Sequence, residues 1–165
     1  MRYDRVTGSC DDGTPGGVAI AGGAARLGVP EQMSWAQIRT YPHDLKLSDL
    51  ERLSFRSNAS DAGVVYMKIT TEGHGSVLFS PNTQPGGEQG LGTWATHDVL
   101  DGTVRFNDDE GESSDVSWST MLNRAGERQV QDVRFTAGCA NPVGEGGALV
   151  QVDDLTINDE VIAFN

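Results

Sequence analysis

ALVQVDDLTIN, residues 148–158, alternates apolar and polar side chains as a half-buried β-strand does, until two adjacent aspartates interrupt it. Counted from Leu149, the alternation places Asp153 on the same face as Leu155 and Ile157, which is the side expected to face the core. Burying an unpaired carboxylate is costly. The pattern therefore predicts that Asp153 faces inward and is held there by a cation, an arginine or several backbone N–H groups.

The same period of two recurs along the chain. VVYMKITT, residues 64–71, divides into an apolar face and a polar face that carries Tyr66 and Lys68. Runs rich in Val, Thr, Phe and Tyr are separated by Gly, Asp, Asn and Pro, with turn signals about every 8 to 12 residues. This spacing predicts an all-β fold, a jelly-roll sandwich of two antiparallel sheets with about eight to ten strands.

One or two short helical turns are expected between the strands. Ser48 followed by Asp49 and Glu51 fits a capping box that opens a single turn, and SWSTMLNR, residues 117–124, is typical of a short helix or turn. The chain has 165 residues, enough for one domain with its own core. We expect an irregular, Gly-rich lead-in over residues 1–17 and a single β-sandwich domain over residues 18–165.

The charge balance narrows the classes of partner. Twelve basic residues against 24 acidic ones give a net charge of −12 and a pI near 4.4. Because such a field repels polyanions, nucleic acid and anionic membrane surfaces are disfavoured as partners. No stretch approaches the roughly 18 apolar residues that a membrane span needs, so membrane insertion is not expected.

The two cysteines, Cys10 and Cys139, lack the spacing of a metal site. A disulfide between them is the simplest interpretation, and it would contribute about 3 to 5 kcal/mol and indicate an oxidising compartment. Two buried free thiols in a cytosolic protein are the alternative. The N-terminus lacks the apolar segment of a signal peptide, so the chain is either cytoplasmic or has lost a leader.

Sequence motifs for catalysis are lacking. His43, His74 and His97 have no zinc-site spacing, and no serine stands in a nucleophile-elbow context. The acidic run NDDEGESSD, residues 107–115, does not have the spacing of a calcium-binding EF-hand loop and is expected to be an acidic loop. An enzyme is therefore the weakest functional hypothesis.

Aromatic residues are the natural candidates for stacking on sugars, since the apolar face of a pyranose packs on an aromatic ring. The chain has three tryptophans, Trp35, Trp94 and Trp118. Trp94 lies within a predicted strand and is expected to be mostly buried, whereas Trp118 between two serines fits either a core or a surface position. The predicted ligand-binding residues are Trp118, Tyr66, Lys68 and Trp94.

The order of motifs resembles a known class of module. LSDLERLSFRS, GTW at residues 92–94, VSWSTML, VRFTAG and VDDLTIN follow one another as in jelly-roll modules of secreted and surface-attached bacterial proteins. The succession is similar to galactose-binding-domain-like and carbohydrate-binding modules over roughly residues 18–158. Asp153 and Asp154 stand where several such families ligate a structural calcium from the last strand. Calcium accepts such oxygen donors; the alternative is a hydrogen-bonded aspartate that braces a loop without metal.

The resemblance implies a noncatalytic extracellular binding module for carbohydrate or another cell-surface ligand, in a secreted or surface-attached protein. A structural or assembly subunit that docks on protein partners is the alternative. A glycan-active enzyme is a weaker alternative. The sequence leaves the oligomeric state open.

Overall fold

The computed structural model describes residues 3–10, 14–31, 33–60, 65–73, 75–85, 90–138 and 147–164. Within these ranges the elements, in chain order, are β1 Tyr3–Ser9, β2 Gly17–Ala21, β3 Ala24–Val29, β4 Ser34–Thr40, β5 Leu53–Ala59, β6 Val65–Thr71, β7 Ser76–Phe79, β8 Ala95–Asp98, β9 Thr103–Asn107, β10 Ser113–Ser117, α1 Trp118–Ala125, β11 Val130–Gly138, β12 Ala148–Ile157 and β13 Glu160–Ile162. Two 3₁₀ turns span Leu47–Asp49 and Pro81–Thr83.

The strands form two antiparallel sheets that face each other. One sheet has seven strands in the order β1-β4-β11-β6-β7-β9-β10, and the other has β2-β3-β12-β5-β8 with β13 paired to β12. The chain passes repeatedly from one sheet to the other, as in a jelly roll. The predicted all-β sandwich with short helical turns is confirmed. The described residues hold more strands than predicted, because short strands such as β10 and β13 extend the hairpins.

The N-terminal segment differs from its prediction. Residues 3–9, expected to be part of an irregular lead-in, form an edge strand that pairs with β4 from Tyr3 opposite Thr40 to Ser9 opposite Ser34. The Tyr3 ring also packs edge-on against Phe164, 5.7 Å between centroids. The apolar pattern missed this strand because an edge strand, exposed on much of its surface, needs little hydrophobic alternation.

The inward faces of the two sheets form one core. Phe55 lies at its centre, with ring centroids 5.9 Å from Phe79 and 4.8 Å from Phe135. The large, fully buried side chains come from both sheets and from the elements that close the ends: Phe55, Phe79, Phe135, Phe164, Leu27, Ile38, Leu47, Leu53, Met67, Ile69, Met121 and Leu155. This burial fixes which side of each strand faces solvent.

The helical elements close one end of the sandwich. The predicted helix is α1, and the Ser117 hydroxyl caps it by accepting the Thr120 N–H at 3.2 Å. The predicted single turn is Leu47–Asp49, but it is capped two residues earlier than expected: the Asp49 carboxylate accepts the backbone N–H of Lys46 at 3.0 Å.

The acidic segment 107–115 is a turn joining paired strands. Asp108 accepts the backbone N–H groups of Glu110 and Glu112, both at 2.9 Å, and residues 113–115 then pair with β9. The expected acidic loop is therefore shorter than predicted. The Asp108 carboxylate organises this turn by accepting both backbone N–H groups.

A β-bulge explains the two aspartates in β12. Asp153 pairs with Arg56 and Thr156 with Ser54, so three steps along β12 match two along β5. Asp154 takes the extra position with φ of 49°, in the left-handed region that aspartate tolerates better than most residues. The bulge shifts the alternation by one residue, which allows apolar residues on both sides of it to face the core: Val150, Val152, Leu155 and Ile157.

The predicted inward position of Asp153 is therefore wrong. Asp153 is half-buried and lies on the outer side of the sheet, opposite Arg56, while Leu149 faces outward and is 43% exposed. The pleat parity counted from Leu149 fails because that residue is itself on the solvent side. No neutralising partner in the core is required.

The disulfide prediction concerns one residue inside and one outside the described ranges. Cys10 is not a free thiol. Cys139 lies outside the described residues, so the Cys10–Cys139 pairing stays a prediction.

Candidate functional site

The solvent side of the seven-stranded sheet, here called the outer face, combines aromatic, polar and cationic side chains in neighbouring rows. The strand register sets these rows. Trp35 lies opposite Gly138, Gln37 opposite Thr136 and Arg39 opposite Arg134. On the other side of β11, Tyr66 lies opposite Thr136 and Lys68 opposite Arg134. Because inward residues alternate with these, all of them project from one surface.

Trp35 stands at one end of the outer face. Its strand neighbours are Gly8 and Gly138, which have no side chains to compete for the surface. The indole lies directly over Gly8, since a Cβ atom added there would come within 2.6 Å of the ring. The half-buried indole thus packs against the backbone of Gly8.

Tyr66 lies two strands away, in the next row. Two strand spacings and one two-residue step separate the Cα atoms of Trp35 and Tyr66 by about 12 Å. Two rings at this separation suit a short oligosaccharide better than a single sugar. Gln37 of β4 and Thr136 of β11, the strand between, share the row of Tyr66 and add an amide and a hydroxyl.

Thr136 is unusual among the residues of this face. It is 3% exposed, and its Oγ1 has no hydrogen-bond partner among the described residues. Such a hydroxyl destabilises the folded state, because it has lost its water without gaining a partner. Thr136 lies between Gln37 and Tyr66 in the strand register, so its hydroxyl, unpaired within the described ranges, is a donor and acceptor between these two residues.

A groove of about 340 Å³ opens beside Tyr66, over β7, β9 and β10. Its lining is rich in hydroxyl, amide and charged groups: Tyr66, Leu78, Ser80, Asn82, Thr83, Thr103, Val104, Arg105 and Asp115. This volume falls in the usual range for small-ligand sites. An aromatic ring beside hydrogen-bonding groups is the combination that a sugar requires.

A row of cations crosses the outer face next to Tyr66. Arg39, Arg134, Lys68 and Arg105 lie in register across β4, β11, β6 and β9, with Leu78 of β7 between the last two. We call these four residues the cationic row. Desolvation by burial, followed by the neighbouring Arg134, lowers the pKa of Lys68, and Arg39 acts in the same direction while Asp132 opposes them. The lysine therefore lies next to two guanidinium groups, of which Arg134 is paired with Asp132.

Tyr66 and Lys68, predicted as ligand-binding residues, are thus brought together on the outer face. Trp118 is not: it is 5% exposed and packs in the core from α1, so its ring is not accessible to a surface ligand. It is buried because the apolar side of a short amphipathic helix must cover the end of the sandwich.

Trp94 lies on the solvent side of the other sheet. It is 38% exposed, which corrects the expectation that it is mostly buried. The residue directly precedes β8 and is outside the strand, and the Arg56 guanidinium lies over its ring at 5.0 Å. Trp94 and Tyr66 therefore belong to opposite outer surfaces.

Asp153 and Asp154, the predicted calcium ligands, have other partners. The Asp154 carboxylate pairs with Arg56 at 3.1 Å, and the Asp153 carboxylate accepts the Asp154 backbone N–H at 2.8 Å. Among the described residues no group of three or more His, Cys, Asp and Glu could hold a metal ion. Both carboxylates make their contacts at the bulge, with Arg56 and with the backbone of Asp154.

A Ser–His contact lies in the interior. Ser57 Oγ is 2.8 Å from His97 Nε2, but Ser57 is 2% exposed and the His97 ring packs 5.0 Å from Phe55. Burial lowers the pKa of His97, which favours the neutral ring. With the serine enclosed between the sheets, we interpret the pair as a core hydrogen bond.

Sequence reasoning missed Arg39, Arg134 and Thr136 as site residues, and it named Trp35 as a stacking candidate without including it in the predicted ligand-binding set. The alternation in SWAQIRT, residues 34–40, could have indicated two of them, since an inward Ile38 places Trp35 and Arg39 on the opposite side. Their proximity to Tyr66 could not have been found this way. It depends on β11 being inserted between β4 and β6.

In the described ranges no helix is long and apolar enough to cross a membrane. The sequence matches no protein-family model and no curated protein. The site therefore has to be interpreted from its own geometry.

Proposed function

We propose that this chain is a noncatalytic binding module that holds a carbohydrate chain on the outer face of its seven-stranded sheet. The observation that carries the proposal is the position of the Tyr66 ring beside a polar groove, with Trp35 on the same surface. Sugars present apolar faces to aromatic rings and hydroxyls to polar neighbours. A rigid sheet supplies both without rearrangement, which limits the entropy lost on binding.

An extracellular location, secreted or surface-attached, belongs to this proposal. The predicted disulfide supports it because disulfides persist in oxidising compartments. A structural calcium ion is not needed for the proposed binding, since the groups on the outer face are positioned by the strands themselves.

A structural or assembly subunit is the second candidate, and one observation favours it. Leu149 is 43% exposed beside a shallow, mainly apolar depression at the end of β3 and β12, lined also by Pro30 and Ala148. An exposed apolar patch is a common docking surface for protein partners. We rank it second because the depression has fewer polar groups to fix a specific ligand.

The experiment that tests the proposal is a glycan array, followed by isothermal titration with any oligosaccharide that binds. Tyr66→Ala should weaken binding by about tenfold or more, because it removes a stacking ring. Trp94→Ala is the matched control: it removes an exposed aromatic from the opposite sheet and should leave affinity unchanged. The proposal would be contradicted by a lack of binding on a broad array. It would also be contradicted if Trp94→Ala abolished binding while Tyr66→Ala did not.

A further inference from the structure

The outer face gathers basic residues in one row. The whole protein carries 12 basic and 24 acidic residues, and four of the basic ones form the cationic row. From Arg39 to Arg105 the row crosses four strand spacings, about 19 Å. Neighbouring like charges repel each other, so the groups that compensate the row decide which of its charges remain available to a ligand.

Ion pairs neutralise only part of the row. Arg134 makes two hydrogen bonds to the Asp132 carboxylate, at 2.7 and 2.5 Å, and Arg105 pairs with Asp115 at 3.1 Å. These are the two ion pairs of the row within the described residues, and Asp4 of β1 lies opposite Arg39 in the strand register. The ion pairs do not neutralise the charges on Arg39 and Lys68.

Arg39 and Lys68 have no carboxylate partner among the described residues. Arg39 donates from Nε and Nη2 to the neutral Gln37 amide oxygen, at 3.0 and 2.8 Å, which orients the guanidinium without neutralising it. Lys68, half-buried and flanked by Arg134, makes no hydrogen bond or ion pair within the described part of the chain. Both cations lie on the strands that carry Trp35 and Tyr66.

We infer that the ligand of the outer face is an acidic oligosaccharide, with uronate carboxylates or sulfate esters that lie against Arg39 and Lys68 while its rings stack on Tyr66 and Trp35. This inference rests on the proposed function and adds the chemical class of the ligand. A guanidinium fixed by Gln37 can present its remaining N–H groups to a carboxylate or sulfate.

Nucleic acid also carries anionic groups, but the molecule disfavours it. The net charge of −12 repels a densely charged polyanion at long range, whereas an oligosaccharide with one charge per ring or fewer meets mainly the local cations. The hydroxyl and amide lining of the groove is suited to sugar hydroxyls. The inference therefore names a glycan.

The test is isothermal titration of the full chain with three probes: oligogalacturonate, the same oligosaccharide after reduction of its carboxyls, and a sulfated oligosaccharide. We expect at least one charged probe to bind about tenfold or more tightly than the neutral one, as for a charge-assisted contact. Arg39→Gln and Lys68→Gln should each weaken binding of the charged probe by a larger factor than binding of the neutral one, because the charge-assisted contact is lost only with the charged probe. Arg26→Gln is the control, since it makes the same change in net charge at an exposed position on the other sheet.

The outcomes separate the two proposals. Equal affinity for charged and neutral probes, with binding still lost in Tyr66→Ala, would overturn the acidic ligand and keep the carbohydrate-binding function. Binding of none of the probes or array glycans would overturn both. Tighter binding of single-stranded DNA that depends on Arg39 would overturn the choice of a glycan. If Arg39→Gln fails to fold, Lys68→Gln provides the same comparison.

Discussion

Deleting Asp154 tests the bulge in β12 most directly, because it removes the extra residue and restores an uninterrupted pleat. With pairing to β5 kept up to Asp153, the deletion places Leu155 directly after the outward Asp153, so Leu155 and Ile157 keep their inward positions and Thr156 stays opposite Ser54. The Leu155 and Ile157 side chains are 0% and 5% exposed in the folded protein. Exposing each would cost about 1.5 to 3 kcal/mol, so a strand out of phase would lose about 3 to 6 kcal/mol in the free energy of unfolding. Because the deletion keeps the phase, we expect a change of only about 1 kcal/mol, from the loss of the partly exposed Asp154–Arg56 pair.

The loss expected for a strand out of phase is a large share of the roughly 5 to 15 kcal/mol that stabilises a domain of this kind, so the two cases are easily separated. Urea unfolding followed by tryptophan fluorescence measures the difference, and the melting temperature of the deletion variant should change by only a few degrees. Asp154→Gly is the control. It keeps the residue count, suits the positive φ and removes only the partly exposed pair with Arg56, so its stability should stay within about 1 kcal/mol of the parent. A deletion variant less stable than the control by about 3 kcal/mol or more would refute the bulge argument, because Leu155 and Ile157 would then have lost their inward positions.

Four further measurements test individual features. Thr136→Val should raise the free energy of unfolding by roughly 1 kcal/mol in thermal or urea unfolding, because it replaces a buried unpaired hydroxyl with a methyl group; a loss of stability would contradict this. Burial lowers the pKa of His97 below the value of 6.5 for a free histidine, so the unfolded state takes up the proton first as the pH falls. The free energy of unfolding should therefore decrease as the pH drops from about 6.5 to the pKa of the folded state. His97→Gln should flatten that part of a stability–pH profile. Mass spectrometry without reductant should find the Cys10–Cys139 disulfide, and a native-state thiol probe that labels either cysteine would exclude it. EDTA should leave the melting temperature unchanged, since the carboxylate of Asp153 is used within the bulge, and a fall of several degrees would instead indicate bound calcium.

The fold was largely predictable from local patterns. Alternation in segments such as VVYMKITT gave the strands and their inward residues, since a sandwich buries one side of each strand and exposes the other. The phase shift between Val152 and Leu155 was also present in the sequence. It was misinterpreted because the count began at Leu149, whose outward position depends on the neighbouring strands.

The candidate site was only half predictable. Parity placed Tyr66 and Lys68 outward, because their strand has a clear apolar side. The surface exposure of Trp94 and the burial of Trp118 could not be inferred, since each depends on where a short element packs. Both residues look alike in sequence, as tryptophans among small polar neighbours.

What the sequence determined by itself is the set of strands, the inward side of most of them and an acidic surface, because these follow from side-chain chemistry repeated at a short period. What only the tertiary structure decided is which strands are neighbours. The insertion of β11 between β4 and β6 places Arg39, Arg134 and Lys68 in one row, although they are far apart in the chain. Strand order is set by the packing of the whole core, and the outer face is a consequence of that order.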